Sequence, residues 1–367
     1  MLAKSRPTSL SKTITAYDVA RLARVTQATV SRTINKPDAV APATRARVHE
    51  AMKALNYIPS ASAQGLARGK SGVIGLLVSL DVSNARVFGF LVDGIVSVLA
   101  EGKYLLNMGH VSSASDVSAE EILESPLLSK HYCDGIIMHL PHFVGDTSRI
   151  YHRIPCPYVD INPASPQAMN CVVPDDRGAA ETAVGHLVSR GHRRIAYLGS
   201  MMDASGPQHA YVRARHDGYI MSMSRVGLSR VERSDEPVVI PARGSYAEIQ
   251  SQRYARIEER LEFWLTLEDP VTAVVAQDSG MANSIAEVAY DREWRIPGRF
   301  SLISCDDISI GFSSSLPITA VDLNLMTIGA EAARMVLRRL DGPEVPIPSV
   351  TVPGKLRERK TIAVMGK

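Results

Sequence analysis

Gln27, Ala28 and Arg32 stand close together in a stretch rich in hydroxyls and amides. The amide of a residue such as Gln27 can bond adenine bidentately. A methyl such as that of Ala28 can only meet the methyl of thymine, and a guanidinium such as that of Arg32 reaches a guanine or a phosphate. Thr15, Tyr17, Thr26, Thr29, Ser31 and Asn35 surround them with side-chain donors suited to phosphate oxygens, contacts that fix register without reading sequence. Each hydroxyl serves equally well as a helix cap or a solvated surface group. Residues 1–70 carry twelve Lys or Arg against Asp18, Asp38 and Glu50, a net of +9, whereas the rest of the chain nets −6. A basic end on an acidic body implies a polyanionic partner confined to that end.

Those side chains act together only if helices present them. Thr15 is placed to cap a first helix, with Asp18 three residues on as an acidic capping-box partner and Ile14 and Val19 at the staple positions. That helix must end near Ala23, leaving Arg24-Val25-Thr26 as a tight turn before a second helix capped by Thr26. A third helix opens at Pro42, with Val48, Ala51, Met52 and Leu55 on one stripe. Three short helices, the first two joined by so short a turn, make a helix-turn-helix unit, in which the start of the second helix enters the major groove.

The run from Thr15 to Asn35 resembles the head of the lactose/galactose repressor (LacI/GalR) family, D-V-A-x-x-A-G-V-S-x-x-T-V-S-R-x-x-N. Asp18, Val19, Ala20, Ala23, Val25, Thr29, Val30, Ser31, Arg32 and Asn35 match. Arg24 stands where the family usually has Gly, at a cost on the order of 1 kcal/mol if the turn stays left-handed. Ala41 replaces a capping Ser, a loss of about 1 kcal/mol. Asn56–Lys70 is similar to the family's hinge. Ser60 can cap a short helix ending near Ala67, too short to persist alone and weakened by Gly65. The resemblance implies that DNA orders this helix and that Leu66 is a minor-groove wedge; ordinary linker packing is the alternative.

From residue 73 short apolar runs alternate with amphipathic stretches. Strands are expected at Val73–Val78, Tyr104–Met108, Gly135–Met138, Tyr158–Asp160, Arg194–Gly199, Ala273–Ala276 and Ser301–Cys305. Helices are expected, among others, at Phe90–Ala100, Arg177–Arg190, Tyr211–Val226, Met281–Arg292 and Thr327–Leu340. The alternation argues for doubly wound parallel sheets, which bind ligands outside the carboxyl ends of their strands. The family resemblance continues through Val172–Ala180, His186–Gly199, Ala276–Ser279, Ser304–Ile308 and Val321–Gly342. It implies a body similar to periplasmic sugar-binding proteins, with two subdomains, three crossovers and a cleft between them.

By position in the resemblance, Arg215 and Asp306 are the polar effector contacts, Gln277 and Ser279 further cleft residues, Leu325 an apolar wall, and Arg213 a weaker candidate. Arg215 and Asp306 can equally pair with each other, and Asp175 and Asp307 are expected to satisfy backbone donors. Ser83–Phe88 departs from the family's S-N-P-F-F. It brings Arg86 and Phe88 to the loop that walls the cleft, and Arg86 beside Arg215 favours an acidic effector such as a sugar acid or phosphate.

The expected layout is a basic arm (1–13), a helix-turn-helix domain (14–59), a hinge (60–72) and an effector-binding and dimerisation domain of two subdomains (73–367). The fold class is an all-α helix-turn-helix head plus an α/β body. The expected partners are a near-palindromic double-stranded operator, a second copy of the chain and a sugar-like effector. Cys133, Cys156, Cys171 and Cys305 lack metal or disulfide spacing and read as reduced thiols. No signal peptide or membrane-length apolar run is visible, so a cytoplasmic location is expected. With no phosphate loop, dinucleotide fingerprint or nucleophile–base set, neither enzyme activity nor a cofactor is expected. His110, His139 and His192 read as structural or surface residues. A secreted sugar-binding protein would account for the body alone and leave the basic head unexplained.

Overall fold

The computed structural model describes residues 14–59, 70–79, 85–111, 118–129, 132–140, 143, 147–163, 169–202, 210–234, 236–240, 245–308, 316–342 and 347–366. Two compact units meet in sequence between Gly72 and Val73.

In the first unit the Asp18 carboxylate accepts from the Thr15 backbone N–H (3.0 Å) and the Thr15 hydroxyl (2.8 Å), opening α1 (Ala16–Ala23). The helix ends at Arg24, whose φ of 54° and ψ of 50° lie in the left-handed region. Thr26 Oγ1 then accepts from the Thr29 N–H (3.2 Å) and starts α2 (Gln27–Asn35). A 3-10 turn at Pro37–Ala39 leads to α3 (Pro42–Ala54), which begins after Ala41 without a side-chain cap. Val19, Ala20, Ala23, Val30, Val48 and Ala51 form the small core of the three helices. Arg24 therefore sits where glycine is cheaper, and Arg24→Gly should stabilise this unit by about 1 kcal/mol. Denaturation followed in the head would check this; a lower midpoint would mean that the arginine side chain itself holds the turn.

Among the described residues the second unit has two main sheets, mostly parallel. The first has the order β12-β5-β4-β3-β1-β2, formed by β1 (Val73–Ser79), β2 (Leu105–Val111), β3 (Gly135–His139), β4 (Tyr158–Ile161), β5 (Cys171–Pro174) and β12 (Val350–Val352). Strand β1 has no polar residue from Val73 to Val78, as expected for a strand covered on both faces. On this sheet lie α4 (Ala85–Glu101) and α11 (Leu325–Asp341), whose backbones touch. A Cβ added to Gly94 would lie 1.9 Å from the Met326 carbonyl oxygen, and one on Gly329 2.1 Å from that of Leu91. Two short helices, α5 (Ala119–Leu123) and α6 (Thr147–Tyr151), complete this half.

The second sheet has the order β13-β11-β10-β9-β6, with β6 (Ile195–Leu198), β9 (Ala273–Ala276), β10 (Ser301–Ser304) and β11 (Thr319–Asp322) parallel and β13 (Lys355–Arg357) antiparallel to β11. Its strands alternate cleanly. Ile195, Tyr197, Ala273 and Val275 pack under α7 (Asp176–Ser189) and α8 (Ala210–Arg225). Ala196, Leu198, Val274 and Ala276 pack under α9 (Tyr246–Leu265) and α10 (Ser279–Asp291). Strands β7 (Ser200–Met202) and β8 (Val238–Ile240) form a separate parallel pair. The chain passes between the two main sheets three times: from β5 to α7, from β11 to α11, and from β12 to β13. The predicted strands are all present within a few residues. The antiparallel β13 and the short β5, β7, β8, β11 and β12 add to them.

Asp160, on β4, is buried, and the Tyr151 hydroxyl donates to it at 2.7 Å. Burial pushes its pKa from 3.8 up to about 7, against the hydrogen bonds from Tyr151 and the Ile161 backbone. The folded chain thus keeps a proton that the unfolded chain releases near pH 4. Stability is full below that pH and is lost as pH rises through about 7. Asp160→Asn should flatten this slope and gain roughly 1–3 kcal/mol at pH 8. Urea unfolding at pH 6 and pH 8 would show it; an unchanged slope would assign the proton elsewhere.

Candidate functional site

Helix α2 carries the base-reading candidates on one side. Gln27, Ala28, Ser31 and Arg32 are exposed and Asn35 is half-buried, while Val30 and Thr33 point into the core of the head. At 100° per residue, positions 27, 28, 31, 32 and 35 fall within an arc of about 140°. Gln27 is the first residue of the helix, where free backbone N–H groups and the helix dipole also favour phosphate. The hydroxyls of Thr26 and Thr29 lie 2.9 Å apart and are engaged in the cap, as the Thr15 hydroxyl is with Asp18. Tyr17 is 65% exposed in the first turn of α1. Leu66 and its hinge lie outside the described residues.

In the body, three side chains far apart in sequence converge. The Arg215 guanidinium, on α8, donates from Nε to Asp176 (2.8 Å) and from Nη1 to both Asp306 (2.7 Å) and the Gln277 carbonyl (2.8 Å). The other Asp306 oxygen accepts from the Ser279 N–H at 2.8 Å. The Tyr211 ring stacks against the guanidinium, 4.9 Å from its centroid. All three charged groups are buried. Burial alone would lower the pKa of Arg215; Asp176 and Asp306 outweigh it and hold the guanidinium protonated. Burial raises the pKa of Asp176, only partly offset by Arg215. Both carboxylates take hydrogen bonds from the one guanidinium, so its charge is already engaged within the cluster.

Arg215, Asp306, Ser279 and the main chain of Gln277 therefore come together, and Asp176 joins them as the member that sequence reasoning missed. Its only sequence signal is a second acid directly after the Asp175 cap, which accepts from the Gly178 N–H at 2.9 Å. The Gln277 side chain is turned to structural work: its oxygen accepts from the Ser200 N–H (3.1 Å) and its nitrogen donates to Asp278 (3.0 Å). Leu325 opens α11 and packs against the cores of both sheets. Asp307 forms a two-pronged ion pair with Arg359 (2.8 and 2.6 Å).

The segment expected as a cleft loop is corrected from Ala85 onward. With good helix formers and no proline there, α4 runs back through Arg86 and Phe88. Phe88 packs against the core of the first sheet. The acidic-effector expectation loses its support from Arg215, whose charge is already matched.

Cys305 is buried and its thiol is pushed by burial up to about 12, which makes it no nucleophile. His139 and His192 are buried and bonded to backbone carbonyls, as structural residues. Among the described residues no cluster of His, Cys, Asp and Glu is arranged to hold a metal, and no helix is long and apolar enough to cross a membrane.

Residues 15–60 match the profile of bacterial regulatory proteins of the lacI family, and residues 184–362 that of a periplasmic binding protein-like domain. The chain is 30% identical to the HTH-type transcriptional regulator GalR of Escherichia coli (strain K12), over 92% of each chain. It is 28% identical to catabolite control protein A of Priestia megaterium, over 95% of this chain and 99% of that one. Among solved structures, the lac repressor dimer bound to operator and the anti-inducer ONPF shares the fold, with a TM-score of 0.75 at 23% identity over 96% of this chain and 100% of that one.

Proposed function

The chain belongs to the lacI family of bacterial regulatory proteins and is a DNA-binding transcriptional regulator; we propose that it is a repressor that holds a near-palindromic operator as a homodimer, under the control of an uncharged, sugar-like effector. The observation that carries the DNA half is the single arc of exposed Gln27, Ala28, Ser31 and Arg32 with half-buried Asn35 on a helix anchored by its opposite face. Exposed apolar side chains on an edge strand and on helix α4 support dimerisation. Leu105 (63%) and Met108 (52%) are exposed on β2, and Phe90 and Val96 are exposed on α4.

The charge state of the Arg215 cluster supports the uncharged effector. A neutral hydroxyl exchanges hydrogen bonds with Asp306 or Asp176 without adding charge, whereas a carboxylate or phosphate would find the one cation of the cluster already engaged by two buried carboxyl groups. No metal or organic cofactor enters this reading, and a DNA partner supports a cytoplasmic location.

Selection of binding sites from a random duplex library by the full chain should enrich sites with twofold symmetry. Fluorescence anisotropy on an enriched site should then show operator affinity shifting at least about tenfold with a neutral sugar and little with its aldonic acid, as expected of ordinary allosteric coupling. Enrichment of asymmetric single sites would refute the dimeric reading, and a response confined to the acids would refute the uncharged effector.

A further inference from the structure

A cavity of about 510 Å³ opens between α8 and the β6–β7–β8 region, and none of Arg215, Asp176, Asp306, Ser279 or Leu325 lines it. Its size falls in the range of small-molecule pockets, ~300–1,000 Å³. Two hydroxyls on its wall are anomalous. Tyr197 is 4% exposed and Ser234 2% exposed, yet neither Tyr197 Oη nor Ser234 Oγ has a hydrogen-bond partner. Buried polar groups of folded proteins are almost always paired, because leaving one dry and unpaired costs free energy. Two on one cavity wall point to a partner that occupies the space between them.

The chemistry of that partner follows from the wall. Burial holds the Tyr197 phenol well above its ordinary pKa, so it stays a neutral O–H, donor and acceptor at once, like the serine hydroxyl. The natural complement to two such groups is another set of hydroxyls. Met201 and Val212 add apolar wall for the C–H face of the same molecule. The cavity lining also includes one cation, Arg213, and two carboxylates, Asp217 and Glu236, a composition that gives an anion no advantage.

We propose that this cavity is a second binding site, separate from the Arg215 cluster, for a neutral polyhydroxylated ligand, a sugar or sugar alcohol, held by the hydroxyls of Tyr197 and Ser234. It goes beyond the effector reading and does not depend on it. It is also connected to it. Gln277 gives its side chain to the cavity wall and its backbone carbonyl to Arg215 (2.8 Å), and α8 carries residues of both sites. A ligand in the cavity therefore bears on the same helix and loop as one at the cluster.

The test uses the full chain with glucose, ribose and sorbitol as neutral probes and gluconate as the anion, read by calorimetry and by the thermal midpoint. Tyr197→Phe and Ser234→Ala each delete an unpaired buried hydroxyl. Each should leave the unliganded midpoint unchanged or higher while weakening binding of the neutral probe about tenfold, the upper end for one hydrogen bond. A co-crystal should place the probe within hydrogen-bond reach of Tyr197 Oη. The proposal fails if no neutral probe binds or if gluconate binds best. It also fails if either variant binds the probe as the parent does, or if both variants lower the unliganded midpoint. That last result would show that the hydroxyls serve packing through water. Operator binding by the parent in the same experiments keeps failure of this site distinct from failure of the regulator reading.

Discussion

Arg215→Met will destabilise the body by about 3–5 kcal/mol at neutral pH, because it strands two buried carboxylates. Asp176 and Asp306 each have less than a tenth of their surface in contact with solvent, and each takes a direct hydrogen bond from the guanidinium. Methionine fills much of the same volume, so the loss reports charge and not a cavity. The pH dependence separates the two. Asp176 already has a folded-state pKa above its ordinary value, since burial outweighs Arg215. A raised carboxylate contributes stability that is full at low pH and disappears as pH rises through its folded pKa. Removing the guanidinium raises the pKa further, so the variant should recover toward the parent as pH falls from 8 to 5. Asp176→Asn should cost far less than Arg215→Met, because it keeps an acceptor for Nε and removes a group whose charged form burial disfavours. Urea unfolding of the three proteins at both pH values is the measurement. Equal losses at pH 5 and pH 8, or a loss under 1 kcal/mol, would sink this account of the cluster.

The same cluster marks where the sequence stops being readable. Arg215 lies 39 residues from Asp176 and 91 from Asp306, and nothing local says that both carboxylates arrive. Position within the resemblance brought Arg215, Asp306 and Ser279 together correctly. A pairing of Arg215 with Asp306 was foreseeable, but the second carboxylate, Asp176, was not, and the case for an acidic effector treated the cation as available. The head is different, since its determinants are local. Thr15 with Asp18, Thr26 with Thr29 and the left-handed Arg24 all lie within three residues of their partners or of the turn they make. In the body, β1, β3 and β9 are legible as dense apolar runs. Strands such as β12 and β13, three residues each, exist only because a distant strand pairs with them. The start of α4 was masked by a comparison with a loop that contains proline, although Ala85 and Arg86 themselves favour a helix.

On the DNA side, Gln27→Ala should produce the largest change in specificity of any single substitution in the head. A good bidentate contact to one base contributes about 1–3 kcal/mol of discrimination. A symmetric dimer loses it in both half-sites, so operator affinity should fall by about 2–6 kcal/mol if Gln27 reads an adenine in each. Glutamine carries no charge and releases no counterion, so the slope of log affinity against log salt should stay the same, as should affinity for an unrelated duplex. Arg32 provides the contrast on the same exposed arc. As a phosphate contact, its loss would weaken both duplexes alike and reduce the salt slope by about one per head; as a guanine reader it would behave like Gln27. Anisotropy titrations of both variants on the operator and on a scrambled duplex, at several salt concentrations, assign each residue its role. If Gln27→Ala weakens the two duplexes equally, the first turn of α2 does not face base edges, and the arc it shares with Ala28, Ser31, Arg32 and Asn35 is a phosphate-holding surface instead.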